Sequence, residues 1–189
     1  MKLFGSTTSP YVRRLRILLR DHDYEFVNLD IFADDDRKTL LANNPTMRVP
    51  ALQDGEQSVY DSRIIYRYLS EKLNLSQISW QQENLFTLID AANDSLVSIL
   101  LSKRSGLPVE QDILFFNLQR QRVDSVLTTL NDEVAHSQFN QWDYLAICLF
   151  CLLDWVEFRE LADWRQHPHL VEFYQWAQQQ AGVVETDPR

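Results

Sequence analysis

Three short stretches in the first third of the chain carry polar groups where a bound molecule could meet them: Ser9-Pro10-Tyr11-Val12, Arg48-Val49-Pro50 and Asp61-Ser62. Pro10 stands where a first helical residue would, ahead of Val12, Leu15, Leu18 and Leu19 at spacings of three and four. Ser9 is therefore expected at a helix N-terminus, where unpaired N–H groups and the helix dipole favour negative charge. A thiolate would be stabilised there, and a serine hydroxyl donating its proton to it adds about 1.5 to 3 kcal/mol. At about 1.36 kcal/mol per pKa unit, that lowers a thiol from about 8.5 by one to two units. The same serine is equally a plain helix cap with nothing bound.

Arg48-Val49-Pro50 leads into a predicted strand. An X-Pro bond there can be cis and leave the Val49 main chain free to pair with an extended peptide as an added strand. An ordinary trans proline opening an edge strand fits the same residues. Asp61-Ser62 begins the next predicted helix and offers a hydroxyl and free N–H groups to a carboxylate, and a carboxylate to an ammonium group, which together recognise the end of an amino acid. Helix capping alone would use the same two residue types.

The elements that must hold these stretches follow from periodicity. Lys2 to Gly5 reads as a strand, the Pro10 segment as a helix, and Tyr24 to Ile31 as a strand alternating Val27, Leu29 and Ile31 with Asn28 and Asp30. A short helix near Arg37 to Ala42 stops at Asn43-Asn44-Pro45. Asp54-Gly55 is a hairpin turn between Pro50 to Gln53 and Ser58 to Tyr60, and a helix follows from Ser62 to Leu73. The first 75 or so residues thus read βαβαββα, an α/β domain. From Trp80 onward the period is helical only, with Leu85, Leu88, Ile89, Ala92, Leu96, Ile99 and Leu100, then Ile113 to Leu130. Asn140 is expected to precede a third helix, with Asp143 as its reciprocal cap, and His167-Pro168 to open a last one through Trp176. The expected division is 1–75 and 80–189, joined by a linker at Asn74 to Ser79.

A formal net charge of −9 opposes phosphate neutralisation, so nucleic acid is not an expected partner. Arg13, Arg14, Arg16 and Arg20 read as the solvated face of the first helix. Met1-Lys2-Leu3-Phe4 runs into Gly5, Ser6 and then arginines without the apolar core of a signal peptide, which points to the cytoplasm. The longest apolar run, Tyr144 to Leu153, is about half the roughly 20 residues of a membrane span, so it reads as a core helix and no membrane is expected. Cys148 and Cys151 lie inside that helix, without a second pair to complete a metal site, and read as two buried thiols. His22, His136, His167 and His169 have no ligand spacing, so no metal is expected either.

In order and wording, these features resemble the glutathione S-transferase family across both domains. Ser9-Pro10-Tyr11 is similar to the serine motif of the tau-like classes and the cysteine motif of the omega-like ones. Val49-Pro50-Ala51-Leu52 resembles the cis-proline strand, and Asp61-Ser62-Arg63-Ile64-Ile65 the γ-glutamyl-binding helix start. In the second half, Asn140-Gln141-Trp142-Asp143 resembles the family's capping box and hydrophobic staple, and His167-Pro168-His169-Leu170 the opening of a late helix. The resemblance implies a thioredoxin-like N-terminal domain, an all-α C-terminal domain, glutathione as co-substrate and a homodimer. It implies Ser9 as the catalytic residue, with Tyr11, Arg48, Val49, Pro50, Asp61 and Ser62 as the glutathione-binding set. In that set Val49 serves the cysteinyl backbone, Asp61 the γ-glutamyl amine, Ser62 its carboxylate and Arg48 the glycyl carboxylate. Asp61 departs from the more usual glutamate, and the acidic run Asp34 to Asp36 is a poor neighbour for a glycyl carboxylate.

Ser9-Pro10-Tyr11-Val12 also resembles a glutaredoxin site with both cysteines replaced, which leaves no enzyme thiolate for disulfide exchange. The expected activity is attack of activated glutathione on a small electrophile arriving from the helical domain side, with peroxide reduction by the same thiolate as a side reaction. Two rival readings share the fold: a non-catalytic member acting through protein partners, similar to the stringent-starvation type, and a carrier of apolar ligands.

Overall fold

A computed structural model describes residues 1–75 and 77–189; Ser76, inside the expected linker, lies outside the described residues. The chain divides into two compact units, Met1–Gln77 together with Ala181–Arg189, and Ile78–Gln180.

The first unit runs β1 (Lys2–Gly5), α1 (Pro10–Leu18), β2 (Glu25–Asn28), α2 (Asp34–Asn43), β3 (Ala51–Asp54), β4 (Gln57–Tyr60) and α3 (Ser62–Lys72). Its sheet has the order β2-β1-β3-β4, with β1 parallel to β2 and both other pairings antiparallel. This is the thioredoxin-like βαβαββα topology. Gly5 is needed at the end of β1 for a steric reason: a Cβ there would come within 2.6 Å of the Val12 methyls, so its absence lets α1 lie directly on the strand.

Two boundaries differ from the periodicity. β2 is half as long as Tyr24 to Ile31 suggests, because β1 offers only Lys2 to Gly5 to pair with. The Leu29 N–H still donates to the Gly5 carbonyl at 2.8 Å, and the Leu29 and Ile31 side chains pack in a cluster with Phe4, Leu40 and Ala51. α2 begins at Asp34 rather than near Arg37, since three aspartates in a first turn complement the helix dipole.

The arginines of α1 are not a solvated face. Arg13 and Arg14 are 3% and 0% exposed, and the Arg16 guanidinium lies 4.6 Å from the Phe26 ring centroid. The partner of Arg13 comes from the far end of the chain. Its Nε donates to Thr186 Oγ1 at 3.2 Å and its Nη2 to the Val183 carbonyl at 3.0 Å. That docking explains why residues 181–189, expected in the helical domain, group with the sheet.

The second unit is all α: α4 (Trp80–Arg104), α5 (Leu114–Ala135), α6 (Tyr144–Arg159) and α7 (Pro168–Ala177). Every residue from Tyr144 to Val156 is buried, so α6 is apolar all round and forms the middle of the core. Cys148 and Cys151 are buried free thiols within it. Its one charge in that stretch, Asp154, accepts the Tyr174 hydroxyl at 2.5 Å. The cap of α6 is Asp143 itself, accepting from the Ala146 N–H at 3.0 Å. Asn140 lies outside the helix, whose cap falls three residues later than expected. A reciprocal capping box occurs instead at Ser79 and Gln82, opening α4. Among the described residues α4, not α6, is long and apolar enough to cross a membrane by length and composition. In this unit α4 buries Leu85, Phe86, Ile89 and Leu96.

Candidate functional site

Register brings the three polar stretches together. Phe4 pairs with Ala51, and Ala51 with Tyr60, on three adjacent strands. The end of β1, the start of β3 and the end of β4 therefore lie side by side, about 4.8 Å apart from one strand to the next. Each carries one stretch: Ser9 follows β1, Val49-Pro50 precedes β3, and Asp61-Ser62 follows β4. The N-termini of α1 and α3 both open at this end of the sheet.

Ser9 is the N-cap of α1, and its Oγ accepts the Val12 N–H at 3.4 Å. Capping uses a lone pair of the hydroxyl, not its hydrogen, so the cap and a donor role coexist in one side chain. The loop in front is pinned: the Thr7 N–H donates to Asn28 Oδ1 at 3.1 Å, and the Ser9 N–H to the Ser6 carbonyl at 3.1 Å. Tyr11 is half-buried, with the sealed Arg14 guanidinium 4.9 Å from its ring centroid.

The Val49–Pro50 bond is cis. Pro50 is buried and Val49 half-buried, packed on the Phe4–Leu40 cluster. Among the described residues the Val49 main chain forms no hydrogen bond. Arg48 is exposed. The loop before the proline is organised by Asn44, 1% exposed. Its Nδ2 donates to the Arg48 carbonyl at 2.7 Å, while its Oδ1 accepts the N–H and hydroxyl of Thr46 at 3.0 and 2.9 Å. Met47, at φ 54°, completes the bend. The sequence showed Asn44 only as a helix stop; an Asn-Pro pair five residues ahead of the Val-Pro pair was the available signal.

Asp61 has φ 71° and ψ 135°, a region that few residues other than glycine occupy and that recurs at ligand sites. Its Oδ1 accepts the N–H groups of Arg63 and Ile64 at 2.9 and 3.3 Å, capping α3. Ser62, beside it, is 3% exposed. The acidic stretch of α2 is partly engaged locally: Asp36 accepts the Asp30 N–H at 2.6 Å and Asp35 pairs with Lys38 at 2.8 Å.

Comparison with known proteins bears on this arrangement. Residues 3–77 match the family described as glutathione S-transferase, N-terminal domain. Over its whole length the chain is 30% identical to the uncharacterised GST-like protein YibF of Escherichia coli (strain K12), covering 98% of that protein. The chain belongs to the glutathione S-transferase family. A glutathione transferase family member from Pseudomonas fluorescens Pf-5, solved with bound glutathione, is 27% identical with a TM-score of 0.83 over 100% of this chain and 98% of that one. The same family member was also solved with S-(propanoic acid)-glutathione. A glutathione S-transferase from Methylobacillus flagellatus KT superposes with a TM-score of 0.87 at 23% identity, covering 100% and 99% of the two chains, which extends the agreement in fold. Both units of this glutathione S-transferase family member are thus covered by solved relatives.

Proposed function

We propose that this chain is a glutathione transferase in which Ser9 holds the glutathione sulfur as a thiolate for attack on a small electrophile. The observation that carries the reading is the meeting of three recognition stretches at one end of the sheet, with the Ser9 hydroxyl capping α1 through its oxygen. The Val49 main chain pairs with the cysteinyl residue of glutathione. Asp61 takes the γ-glutamyl ammonium on Oδ2, since Oδ1 is committed to the cap, and Ser62 with the opening N–H groups of α3 takes the γ-glutamyl carboxylate. Arg48 serves the glycyl carboxylate, and Tyr11 and Pro50 flank the sulfur. The thiol proton leaves to solvent, the sulfur lone pair forms a carbon–sulfur bond, and the electrophile either expels a leaving group or, at a double bond, takes up a proton. A family member crystallised with an S-propanoic acid conjugate supports a carbon electrophile. Peroxide reduction by the same thiolate, a cytoplasmic setting and a homodimeric assembly complete the reading, and sedimentation equilibrium checks the last.

The test is the ultraviolet thiolate absorbance of glutathione bound to the protein, titrated with pH, alongside turnover of a model electrophile. Ser9→Ala should raise the bound thiol pKa by one to two units and lower turnover at neutral pH about 10- to 100-fold. Ser9→Thr, which keeps the hydroxyl and the cap, should retain most of both. Because loss of the cap alone costs about 1 kcal/mol, rates are normalised to folded protein by circular dichroism. Undiminished turnover in Ser9→Ala would sink the assignment.

A further inference from the structure

The helix that carries Ser9 is gripped along two stripes. Val12 lies so close to β1 that Gly5 has no room for a Cβ. Arg13, Arg16, Ile17 and Arg20 share a second stripe by their spacing, and all four meet the Ala181–Arg189 segment of the same unit. Besides the two bonds from Arg13 to Thr186 and Val183, the Arg16 Nη2 reaches the Glu185 carbonyl at 3.5 Å. A Cβ on Gly182, at φ 86°, would come within 3.1 Å of Arg20 Cδ and 3.3 Å of Ile17 Cγ2, so the segment lies directly on the helix. It is braced from within as well. The Thr186 hydroxyl, 5% exposed, donates to the Gly182 carbonyl at 2.6 Å while its oxygen accepts from Arg13.

Arg13 stands one turn beyond Ser9, and its own N–H donates to the Ser9 carbonyl at 3.0 Å. Whatever fixes Arg13 therefore fixes the turn that presents Ser9. The Ser9 cap bond to Val12, at 3.4 Å, is longer than an ordinary hydrogen bond and too weak to hold the hydroxyl in place by itself. A guanidinium bound through two of its nitrogens is set in direction as well as distance.

We propose that Arg13 is a positioning residue for the Ser9 hydroxyl, with Thr186 and Val183 as the anchors that set it. The inference rests on the transferase reading of Ser9 and adds to it that a segment about 170 positions away tunes the thiolate.

The test uses the full chain and glutathione, reading the bound thiol pKa by ultraviolet titration and glutathione affinity by calorimetry. Thr186→Val removes the anchoring hydroxyl at nearly constant volume and leaves the Arg13 charge in place. It should raise the bound thiol pKa by about half a unit, about threefold less thiolate below that pKa, with affinity changed less than about twofold. Arg13→Lys, which keeps the charge and loses the fork, should do the same, and it carries the test if Thr186→Val does not fold. Combined with Ser9→Ala, neither substitution should shift the pKa further, because the group being positioned is gone. A purely structural role would lower Tm in these variants and leave the thiol pKa of the folded protein where it was. A pKa moved by Ser9→Ala but by neither of the other two, or a shift that adds fully to that of Ser9→Ala, overturns the proposal alone. A pKa unmoved by Ser9→Ala overturns the transferase reading and this proposal with it.

Discussion

The sheet unit keeps its polar chemistry at the ends of elements four to eleven residues long, whereas the helical unit centres on one helix, α6, buried at every residue from Tyr144 to Val156. In the first, a site residue is positioned by a cap, a turn or one side-chain amide, each contributing about 1 kcal/mol. In the second, position follows from the packing of many side chains at once. Small perturbations should therefore alter function in the sheet unit and stability in the helical one.

The sharpest way to break this contrast is Phe150→Ala. Phe150 stacks on Tyr174 with centroids 5.6 Å apart and meets Trp142 edge-on at 5.9 Å. Truncation should cost about 3–5 kcal/mol, read by urea unfolding followed through tryptophan fluorescence. A loss under about 1 kcal/mol would mean that the helical core repacks freely. Arg13→Ala comes next. It leaves the Val183 carbonyl without its charged donor and removes a buried cation, at a cost of about 2–3 kcal/mol. Hydrogen exchange should then rise selectively in residues 181–189, and protection unchanged there would separate the tail from α1. The smallest effect belongs to Asp54, whose carboxyl is held below its usual range by hydrogen bonds from Lys72 and then Tyr68 on α3. A lowered carboxylate pKa stabilises the fold above the unfolded value near ~3.9 and ceases to do so as pH falls through the folded value. Asp54→Asn should lower Tm by under about 3 °C at pH 7, and the gap from the natural chain should close in acid. A gap that persists there would assign the effect to packing.

Legibility in the sequence followed the same divide. Element order in the sheet unit was readable because each element is closed by residues with a local reason to be there: Pro10, Asp54-Gly55 and Asp61-Ser62. Which stretches meet was also within reach once the strands were ordered, since antiparallel register places Ala51 beside both Phe4 and Tyr60. The arginines of α1 were misread because their spacing suits a polar face, while Val183 and Thr186 lie about 170 positions away and leave no periodic trace. Asn44 was overlooked for the converse reason. Its type and place suit a helix end, and only the folded loop shows its amide bridging to Arg48. In the helical unit, the long apolar stretch identified α6, but the cap moved from Asn140 to Asp143, because a capping carboxylate three residues further on suits a shorter helix equally well.

The embrace of α1 by residues 181–189 has a consequence for how the protein is made. On the ribosome, Met1–Gln77 emerges first, yet the Nε and Nη2 of Arg13 must wait for Thr186 and Val183, the partners they have in the finished fold. Until then a guanidinium lies half-housed against a nascent sheet, and completion of that module is deferred until the helical segment has been translated.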